Sequence, residues 1–543
     1  MTIGKKIAHL RTAAGLSQEQ LAEALGVSRQ SVSKWEMDQA LPQIDKVLMI
    51  SDIFHVTTDD FLRGSVERKP RAEVRAAGKY FGTDGFRGEA NISPTSEQAY
   101  RIGRFLGWYF ASPLAGCNKP GYRPRLVVGK DTRRSSYMLE YALVAGIVAS
   151  GADAYMLHVT TTPGVPYVTR QDGFDCGIMI TASHNPYYDN GIKIFNAHGE
   201  KLDDRTIALI EAYIDNDTIA LGIPTGELPL ARREKMGCII DYVSGRNRYI
   251  GYLISVASNS YRKLRIGLDC ANGAAWNIAR AVFGALGAQL TVINAEPDGL
   301  NVNRDCGSTH PQELSRVVRE QHLDMGFAFD GDADRCIAVD ENGQILDGDT
   351  ILYILAHRLK NRDMLEGDTV VTTVMSNSGL AASLAHLGIH CERTAVGDRF
   401  VYDRMQEHGY SLGGEPTGHI ILKKYASTGD ALLSAIMIAE EVCDTKHPLS
   451  QLAQGAHLYP HIVRNVRVRD KAAAVADPRV TDAAGHINEA LGNGGRVLLH
   501  PSGTESVIRI LVECDSERQC ETYAEVLYNV LCEAGYVLGE EHG

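Results

Sequence analysis

Three aspartates stand at alternate positions in the segment FAFDGDADRCIAVD. Asp330, Asp332 and Asp334 follow one apolar strand-like run and precede another, which predicts a loop between two buried strands. Carboxylates this close repel one another unless a hard divalent cation lies between them, and an all-oxygen shell suits Mg²⁺. A calcium loop would use Glu341 as its last ligand, but Arg335 occupies the position where that loop requires glycine. The spacing favours a magnesium site, with a solvated acidic turn as the alternative.

Two further segments contain residues that could handle a phosphoryl group. In ITASHNPYYDNGIKIF the Asn-Pro pair initiates a turn, which predicts Ser183 at an exposed loop end. In HPSGTESVIRI the amides and hydroxyls of Ser502, Gly503 and Thr504 could hold a phosphate, with Arg509 as the countercharge. Each segment is a weak signal alone, since ordinary turns have similar sequences. A serine, a carboxylate metal site and a phosphate-holding loop together predict phosphoryl transfer.

The elements that must position these segments alternate between strand and helix. From Tyr80 onward, apolar strand-like runs and Ala/Leu-rich helical runs form strand–helix–strand stretches at 125–158, 263–295 and 370–396. This predicts three α/β domains with buried, largely parallel strands. The segment from about Gly455 onward predicts a mixed α+β domain. The predicted domain ranges after a linker at 66–79 are 80–235, 236–345, 346–455 and 456–543.

The N-terminal residues 1–65 predict a separate all-α domain. Ser17 and Gln20 fit a capping box at the start of one helix, and Ser28 can cap the next. On that second helix Val32 and Trp35 are three residues apart and should face the core. A third amphipathic helix is expected around Ile44, Val47 and Leu48, and Thr58 is expected to begin another.

This N-terminal segment resembles the helix-turn-helix domain of the XRE family of phage repressors, through LSQEQLA and LGVSRQSVSKWE. The resemblance implies DNA binding through residues 1–65 and, because such modules bind paired half-sites, a homodimer. Residues 1–64 carry seven basic against eight acidic side chains, so a role in protein contacts is the alternative. The candidate DNA-contacting residues are Gln18, Arg29, Gln30, Ser33 and Lys34.

The rest of the chain resembles the α-D-phosphohexomutase superfamily. The shared motifs are YFGTDGFRG, VGKDTRRSS, TASHNP, DGDADR, GGEPTGH and SGTE. The segments ANGAA, EPDGLNVN, GSTHP and VGDRFV are most similar to the bacterial phosphoglucosamine mutase branch. The resemblance implies a phosphorylated Ser183 that binds Mg²⁺ together with Asp330, Asp332 and Asp334.

The same resemblance assigns the remaining site residues. Arg87 and Lys193 are expected to frame the transferring phosphoryl group, with Arg335 beside the metal. His184 and Lys193 are the candidate bases for the attacking sugar hydroxyl. The residues expected to bind the sugar and its non-reacting phosphate are Glu415, Thr417, His419, Ser502, Gly503, Thr504 and Arg509.

The implied reaction interconverts glucosamine 6-phosphate and glucosamine 1-phosphate through a 1,6-bisphosphate, with a hexose 1,6-bisphosphate as activator of the phosphoserine form. Four positions depart from the family pattern. His500 stands where the phosphate loop usually has arginine, and Ser506 replaces a proline. Pro416 and Thr417 replace the glutamine and serine of the glucosamine branch. A phosphomannomutase/phosphoglucomutase and a transcription regulator that senses sugar phosphates are therefore the alternatives.

Bulk composition is that of a globular protein. The net charge of −12 argues against a surface that coats nucleic acid, and the sequence has no apolar run of membrane-spanning length. The N-terminus has no apolar stretch that would indicate a signal peptide. Eleven scattered cysteines indicate reduced thiols, which predicts a cytoplasmic location.

Overall fold

The computed structural model describes residues 3–13, 16–43, 46–47, 49–50, 78–82, 84–117, 119, 121–217, 227–492, 494–501 and 506–540. The chain divides into two compact units, Met1–Ala76 and Ala77–Gly543. Several predictions fall outside the described residues: Ile44, Leu48, the start of a helix at Thr58, most of the linker, and the phosphate-loop residues Ser502, Gly503 and Thr504.

The first unit is helical, as expected. Its helices are α1 (Ile3–Ala13), α2 (Gln18–Leu25) and α3 (Arg29–Glu36), and residues 46–47 and 49–50 are also helical. The predicted capping box is confirmed, because the backbone N–H of Gln20 donates to Ser17 Oγ and the side-chain Oε1 of Gln20 accepts the backbone N–H of Ser17. Ser28 caps α3, and Val32 and Trp35 are buried, as the spacing indicates.

The second unit begins with a mixed sheet in which, among the described residues, the strand order is β1-β2-β6-β5-β3-β4-β7. Strands β3, β4, β5 and β7 run parallel, whereas β1, β2 and β6 add antiparallel pairs at one side. The strands are β1 (Phe81–Gly82), β2 (Gly85–Glu89), β3 (Arg125–Lys130), β4 (Asp153–Val159), β5 (Cys176–Ile180), β6 (Asp189–Asn196) and β7 (Ile239–Asp241). The helices are α4 (Ser96–Tyr109), α5 (Arg134–Ala149), α6 (Gly164–Gln171) and α7 (Asp204–Ile214), followed by α8 (Val243–Val256).

The next two sheets are smaller. The described residues give the orders β12-β11-β10-β8-β9 and β14-β13-β15-β16, with β8·β9, β8·β10 and β13·β14 parallel. The second sheet comprises β8 (Arg265–Asp269), β9 (Gln289–Ile293), β10 (Met325–Phe329), β11 (Cys336–Asp340) and β12 (Ile345–Leu346), with α9 (Ala275–Ala285) and α10 (Gln312–Glu320). The third comprises β13 (Thr369–Thr373), β14 (His390–Thr394), β15 (Leu412–Gly414) and β16 (Ile420–Leu422), with α11 (Gly348–Lys360), α12 (Ser378–His386), α13 (Asp398–His408), α14 (Ala431–Thr445) and α15 (Leu449–Ala453).

The last sheet is antiparallel throughout its described strands, in the order β18-β19-β17-β20. Its elements are β17 (His461–Val468), α16 (Lys471–Ala476), α17 (Pro478–Leu491), β18 (Gly495–Pro501), β19 (Val507–Cys514), α18 (Glu517–Glu533) and β20 (Val537–Glu540). The predicted fold class, three βαβ-containing domains and an α+β domain after an all-α module, is therefore confirmed.

Burial explains why the central strands have apolar sequences without alternation. Every residue of β5 (CGIMI) and β10 (MGFAF) is buried, because these strands lie inside their sheets and are covered on both faces. The loops that follow β5 and β10 carry Ser183 and the three aspartates. Within the described segments, no helix is both long and apolar enough to cross a membrane.

Candidate active site

Ser183 lies in the loop after β5, but it is buried rather than exposed, with 1% of its surface accessible. The expectation of an exposed loop end is therefore wrong. Residues from the loops of the second sheet cover Ser183. Ser183 Oγ donates to Asp330 Oδ2 at 2.6 Å, and Asn303 donates to the Ser183 carbonyl at 2.8 Å. Ser183 adopts a φ of 52°, a left-handed conformation that non-glycine residues rarely take. The contacts on both sides of the residue hold this conformation.

A buried arginine, Arg133, organises the serine loop. Its guanidinium donates to the carbonyls of Ser183 and Asn185 at 2.8 Å each, and to those of Pro186 and Asp189. On its other side Arg133 Nε donates to Asp131 at 2.8 Å. Sequence reasoning assigned it no role, although it lies in the quoted motif VGKDTRRSS.

Replacement of Arg133 by methionine should destabilise the protein, because it removes the cation that pairs with the buried Asp131 carboxylate and one donor from each of four loop carbonyls. We expect the free energy of unfolding to fall by about 3–5 kcal/mol, as for other broken buried ion pairs. Urea denaturation followed by circular dichroism measures this change. The control is Arg134→Met at the exposed neighbour, which should change stability by no more than about 0.5 kcal/mol. Equal stability of the two variants would contradict the role of Arg133.

The three aspartates fit a metal site. One carboxylate oxygen from each of Asp330, Asp332 and Asp334 lies within 4.8 Å of the others, and all three side chains are buried. Asp332 Oδ1 and Asp334 Oδ1 have no hydrogen-bond partner among the described residues. Burial, with the charges of Asp334 and Asp332, raises the pKa of Asp330 well above its usual range. Buried carboxylate oxygens without donors are the ligands that a hard divalent cation takes.

Lys193 and Asp84 lie next to the triad. Lys193 Nζ contacts Asp334 at 2.8 Å, Asp332 at 3.0 Å and Asp84 at 3.5 Å. Burial alone would lower the pKa of Lys193, but these carboxylates outweigh it and raise that pKa. Asp84 also accepts a hydrogen bond from Arg87, whose Nε is buried and has no partner among the described residues. Arg87 and Lys193 therefore both contact Asp84, next to the triad.

His184 and Arg335 complete the polar surroundings of Ser183. His184 Nδ1 lies 3.4 Å from Ser183 Oγ. The charge of Arg335, burial and the charge of Arg87 hold the pKa of His184 well below its usual range, so its imidazole is neutral. Arg335 Nε lies 4.0 Å from Asp334, and its backbone amide donates to Asp330.

A cavity of about 450 Å³ lies between the third and fourth sheets. Glu415 and Thr417, from the loop between β15 and β16, and Arg509, from β19, all line it. The predicted sugar-reading loop and the predicted phosphate-binding arginine thus meet in one cavity, although 94 positions separate Glu415 from Arg509 in the chain. His500 pairs with Arg509 across β18 and β19, and burial together with the charge of Arg509 lowers the pKa of His500.

His419 lies beside the triad rather than in the lining of this cavity. Its Nδ1 is 3.7 Å from Asp334 Oδ1, and its Nε2 is 3.6 Å from Asp398. The Gly429 amide nitrogen lies 3.0 Å from Nε2. Besides Arg133, sequence reasoning missed four residues that contact the site: Asp84, Thr162, Lys201 and Asn303.

In the N-terminal unit, helix α3 presents the expected surface. Arg29, Gln30 and Lys34 are exposed and Ser33 is half-buried. Gln18 is half-buried, and its side chain donates to Glu36 at 2.7 Å. Glu36 also accepts from Arg11 at 2.6 Å, so the Gln18 amide belongs to a hydrogen-bonded group within the helical unit.

Comparison with known proteins gives consistent matches along the chain. Models of the phosphoglucomutase/phosphomannomutase family match through α/β/α domain I at residues 78–220, domain II at 247–343, domain III at 347–459 and the C-terminal domain at 464–530. A helix-turn-helix model matches residues 7–61.

Curated relatives and solved structures agree with these matches. A phosphoglucosamine mutase from Lachnospira eligens is 53% identical over 461 residues, which span 85% of this chain and 100% of the relative. One from Oceanobacillus iheyensis is 43% identical, over 84% of this chain and 98% of the relative. A phosphoglucomutase/phosphomannomutase family structure from Burkholderia thailandensis has a TM-score of 0.68 at 23% identity, covering 84% of this chain and 98% of that one. A putative phosphomannomutase from Thermus thermophilus has a TM-score of 0.65 at 20% identity, covering 83% and 98%.

Proposed function

The chain belongs to the phosphoglucomutase/phosphomannomutase family, whose mutases are isomerases, and we propose that it interconverts glucosamine 6-phosphate and glucosamine 1-phosphate. The choice of sugar is supported by curated phosphoglucosamine mutases that the chain covers almost completely. The observation that carries the reaction type is the 2.6 Å contact between Ser183 Oγ and Asp330, which joins the carrier serine to the carboxylate triad.

The proposed reaction is an exchange of phosphoryl groups. Phosphorylated Ser183 transfers its phosphoryl group to the 1-hydroxyl of glucosamine 6-phosphate, and the hydroxyl gives up its proton. The resulting 1,6-bisphosphate then reverses its orientation within the cleft, so that its 6-phosphoryl group faces Ser183. Transfer of this group back to Ser183 releases glucosamine 1-phosphate. We propose that a hexose 1,6-bisphosphate supplies the first phosphoryl group.

We propose that Asp330, Asp332 and Asp334, together with Ser183, hold Mg²⁺. When bound, this ion supplies positive charge that stabilises the transferring phosphoryl group. Arg87 and Arg335 add fixed positive charge at the same place. His184 is the better placed base of the two candidates, because its Nδ1 lies 3.4 Å from Ser183 Oγ while the Lys193 ammonium is held by two aspartates.

The cavity between the third and fourth sheets is the proposed sugar site. Glu415 can accept hydrogen bonds from two sugar hydroxyls, Thr417 offers a hydroxyl, and Arg509 can bind the non-reacting phosphate. We propose that Ser502, Gly503 and Thr504 complete the phosphate site. We also propose that His419 binds the substrate from the side of the triad. His500 contributes at most one donor where arginine would offer a fork, so phosphate binding depends more on Arg509.

Coupled assays on the 6-phosphates of glucosamine, glucose and mannose, with Mg²⁺ and a bisphosphate primer, test the proposed function. We expect glucosamine 6-phosphate to have the highest kcat/KM. A preference for glucose or mannose would identify a phosphoglucomutase/phosphomannomutase, consistent with the replacements at Pro416 and Thr417. Failure to convert any of the three would favour a regulator that only senses sugar phosphates.

We also propose that the helix-turn-helix unit binds DNA as part of a homodimer, and that the protein works in the cytoplasm. The exposed side chains of Arg29, Gln30 and Lys34 on α3 support the DNA contact. The location is supported by the cysteines, all eleven of which lie in described segments as free thiols.

Removal of two cations from α3 tests the DNA contact. The double variant Arg29→Ala/Lys34→Ala should bind a duplex selected from a random pool at least about tenfold more weakly at low salt, because phosphate contacts dominate affinity. Gel-shift titration measures the change, and Lys446→Ala in the second unit is the control. If the intact protein enriches no duplex at low salt, the DNA proposal fails.

A further inference from the structure

Six side chains form a closed ring of contacts at the triad. Around the ring, carboxylates alternate with nitrogen-bearing side chains. The six residues lie in or beside the first, second and third sheets. The contacts are Asp334–Lys193 at 2.8 Å, Lys193–Asp84 at 3.5 Å, Asp84–Lys201 at 3.1 Å, Lys201–Asp398 at 2.7 Å, Asp398–His419 at 3.6 Å and His419–Asp334 at 3.7 Å.

Lys201 connects the two halves of this ring. Asp84 belongs to the turn between β1 and β2 in the first sheet, whereas Asp398 is the first residue of α13 beside the third sheet. Lys201 Nζ contacts both carboxylates. Burial alone would lower the pKa of Lys201, but Asp398 and Asp84 outweigh it and raise that pKa, so the side chain is a cation.

The backbone holds Lys201 in a fixed position relative to Lys193. Phe195, the next-to-last residue of β6, forms an antiparallel bridge with Lys201, and the Leu202 amide donates to the Ile194 carbonyl at 3.1 Å. Lys193 belongs to the same strand β6. The two lysines therefore approach Asp84 from one rigid hairpin, and Asp84 contacts each of them with a different oxygen.

We propose that Lys201 is a positioning residue. By holding Asp84 and Asp398 together, it fixes the distance between the β1–β2 turn of the first sheet and the start of α13 beside the third sheet, and it orients Lys193 and His419 about the triad. This proposal rests on the proposed function. Without the Lys201 cation, two partly buried carboxylates face each other and repel. Asp84 would then bind Lys193 more closely and draw it away from Asp332 and Asp334.

The test compares Lys201→Met with a matched variant. Arg399, on α13, contacts Asp204 at the start of α7 at 2.8 Å. Arg399→Gln therefore also removes an ion pair that links α13 to the first sheet's elements, but this pair does not include Asp84. We expect Lys201→Met to lower kcat by about 10- to 100-fold, as a small misplacement of a reacting group does. KM for the sugar phosphate should stay within about threefold in both variants, since the sugar cavity is lined by other residues.

Two rescues separate positioning from a loss of folding. Lys201→Arg keeps the cation and should recover kcat to within about threefold of the wild type. Adding Asp398→Asn to Lys201→Met removes one of the repelling charges and should restore part of the lost kcat. Lys201→Gln replaces Lys201→Met if the methionine variant does not fold. Equal kcat in Lys201→Met and Arg399→Gln, or no recovery in either rescue, would overturn the proposal.

A crystal structure of Lys201→Met gives a readout that does not depend on turnover. We expect the 2.8 Å contact between Lys193 and Asp334 to be lost, with Lys193 shifted toward Asp84. An unchanged Lys193 would overturn the proposal. A wild-type protein that converts no sugar phosphate would defeat the proposed function instead, and the crystal structure would then decide the role of Lys201 by itself.

Discussion

Ser183→Ala is expected to abolish mutase turnover, with a fall in kcat of at least about 10⁴-fold, because the variant has no oxygen to carry the phosphoryl group. The fold should persist. Loss of the hydroxyl removes one hydrogen bond to the buried Asp330 and should cost about 1–3 kcal/mol of unfolding free energy. A coupled assay with glucosamine 6-phosphate measures the rate, and circular dichroism verifies the fold.

Intact-mass measurement separates the role of the serine from a general loss of activity. After incubation with a hexose 1,6-bisphosphate, the wild type should gain the mass of one phosphoryl group and Ser183→Ala should not. Ser255→Ala is the control, because Ser255 is an exposed serine on α8 that donates only to a backbone carbonyl in the described structure. Full activity or phosphorylation of Ser183→Ala would refute the assignment.

Asp332→Asn is expected to weaken Mg²⁺ binding and to lower turnover by at least about 10³-fold, the scale of a lost metal contribution of several kcal/mol. The amide keeps the shape of the carboxylate but removes a charge from the triad. It also places a neutral group 3.0 Å from the Lys193 ammonium, where the carboxylate now accepts its hydrogen bond. Isothermal titration calorimetry with Mg²⁺ measures the affinity, and the coupled assay measures the rate.

Chelation of the wild type gives an independent result for the same site. EDTA should abolish activity, and added Mg²⁺ should restore it and raise the Tm, because the ion binds the folded protein and relieves repulsion among three buried carboxylates. Asp241→Asn, at an exposed carboxylate, is the control and should respond to Mg²⁺ like the wild type. Wild-type Mg²⁺ affinity in Asp332→Asn would contradict a metal site at the triad.

Local sequence signals were sufficient for the elements and for the motifs. Ser28 was identified as a helix cap because the cap depends only on the residues next to it. Strands such as β10 were recognisable because complete burial demands an unbroken apolar run. The alternating aspartates indicated a metal site because residues two positions apart are close in space in any fold, so their carboxylates repel one another unless a cation binds.

Only the tertiary structure decided how these parts meet. Ser183 and Asp330 are 147 positions apart, and their contact buries a serine that its Asn-Pro turn would expose. Arg133 and Lys201 look like ordinary basic residues in the sequence; packing makes the first the support of the serine loop and the second the link between Asp84 and Asp398. Backbone propensity and hydrophobic periodicity act over a few residues, whereas burial and ion pairing depend on which segments pack together. The sequence alone therefore determined the motifs and their chemistry, while packing determined which side chains share the site.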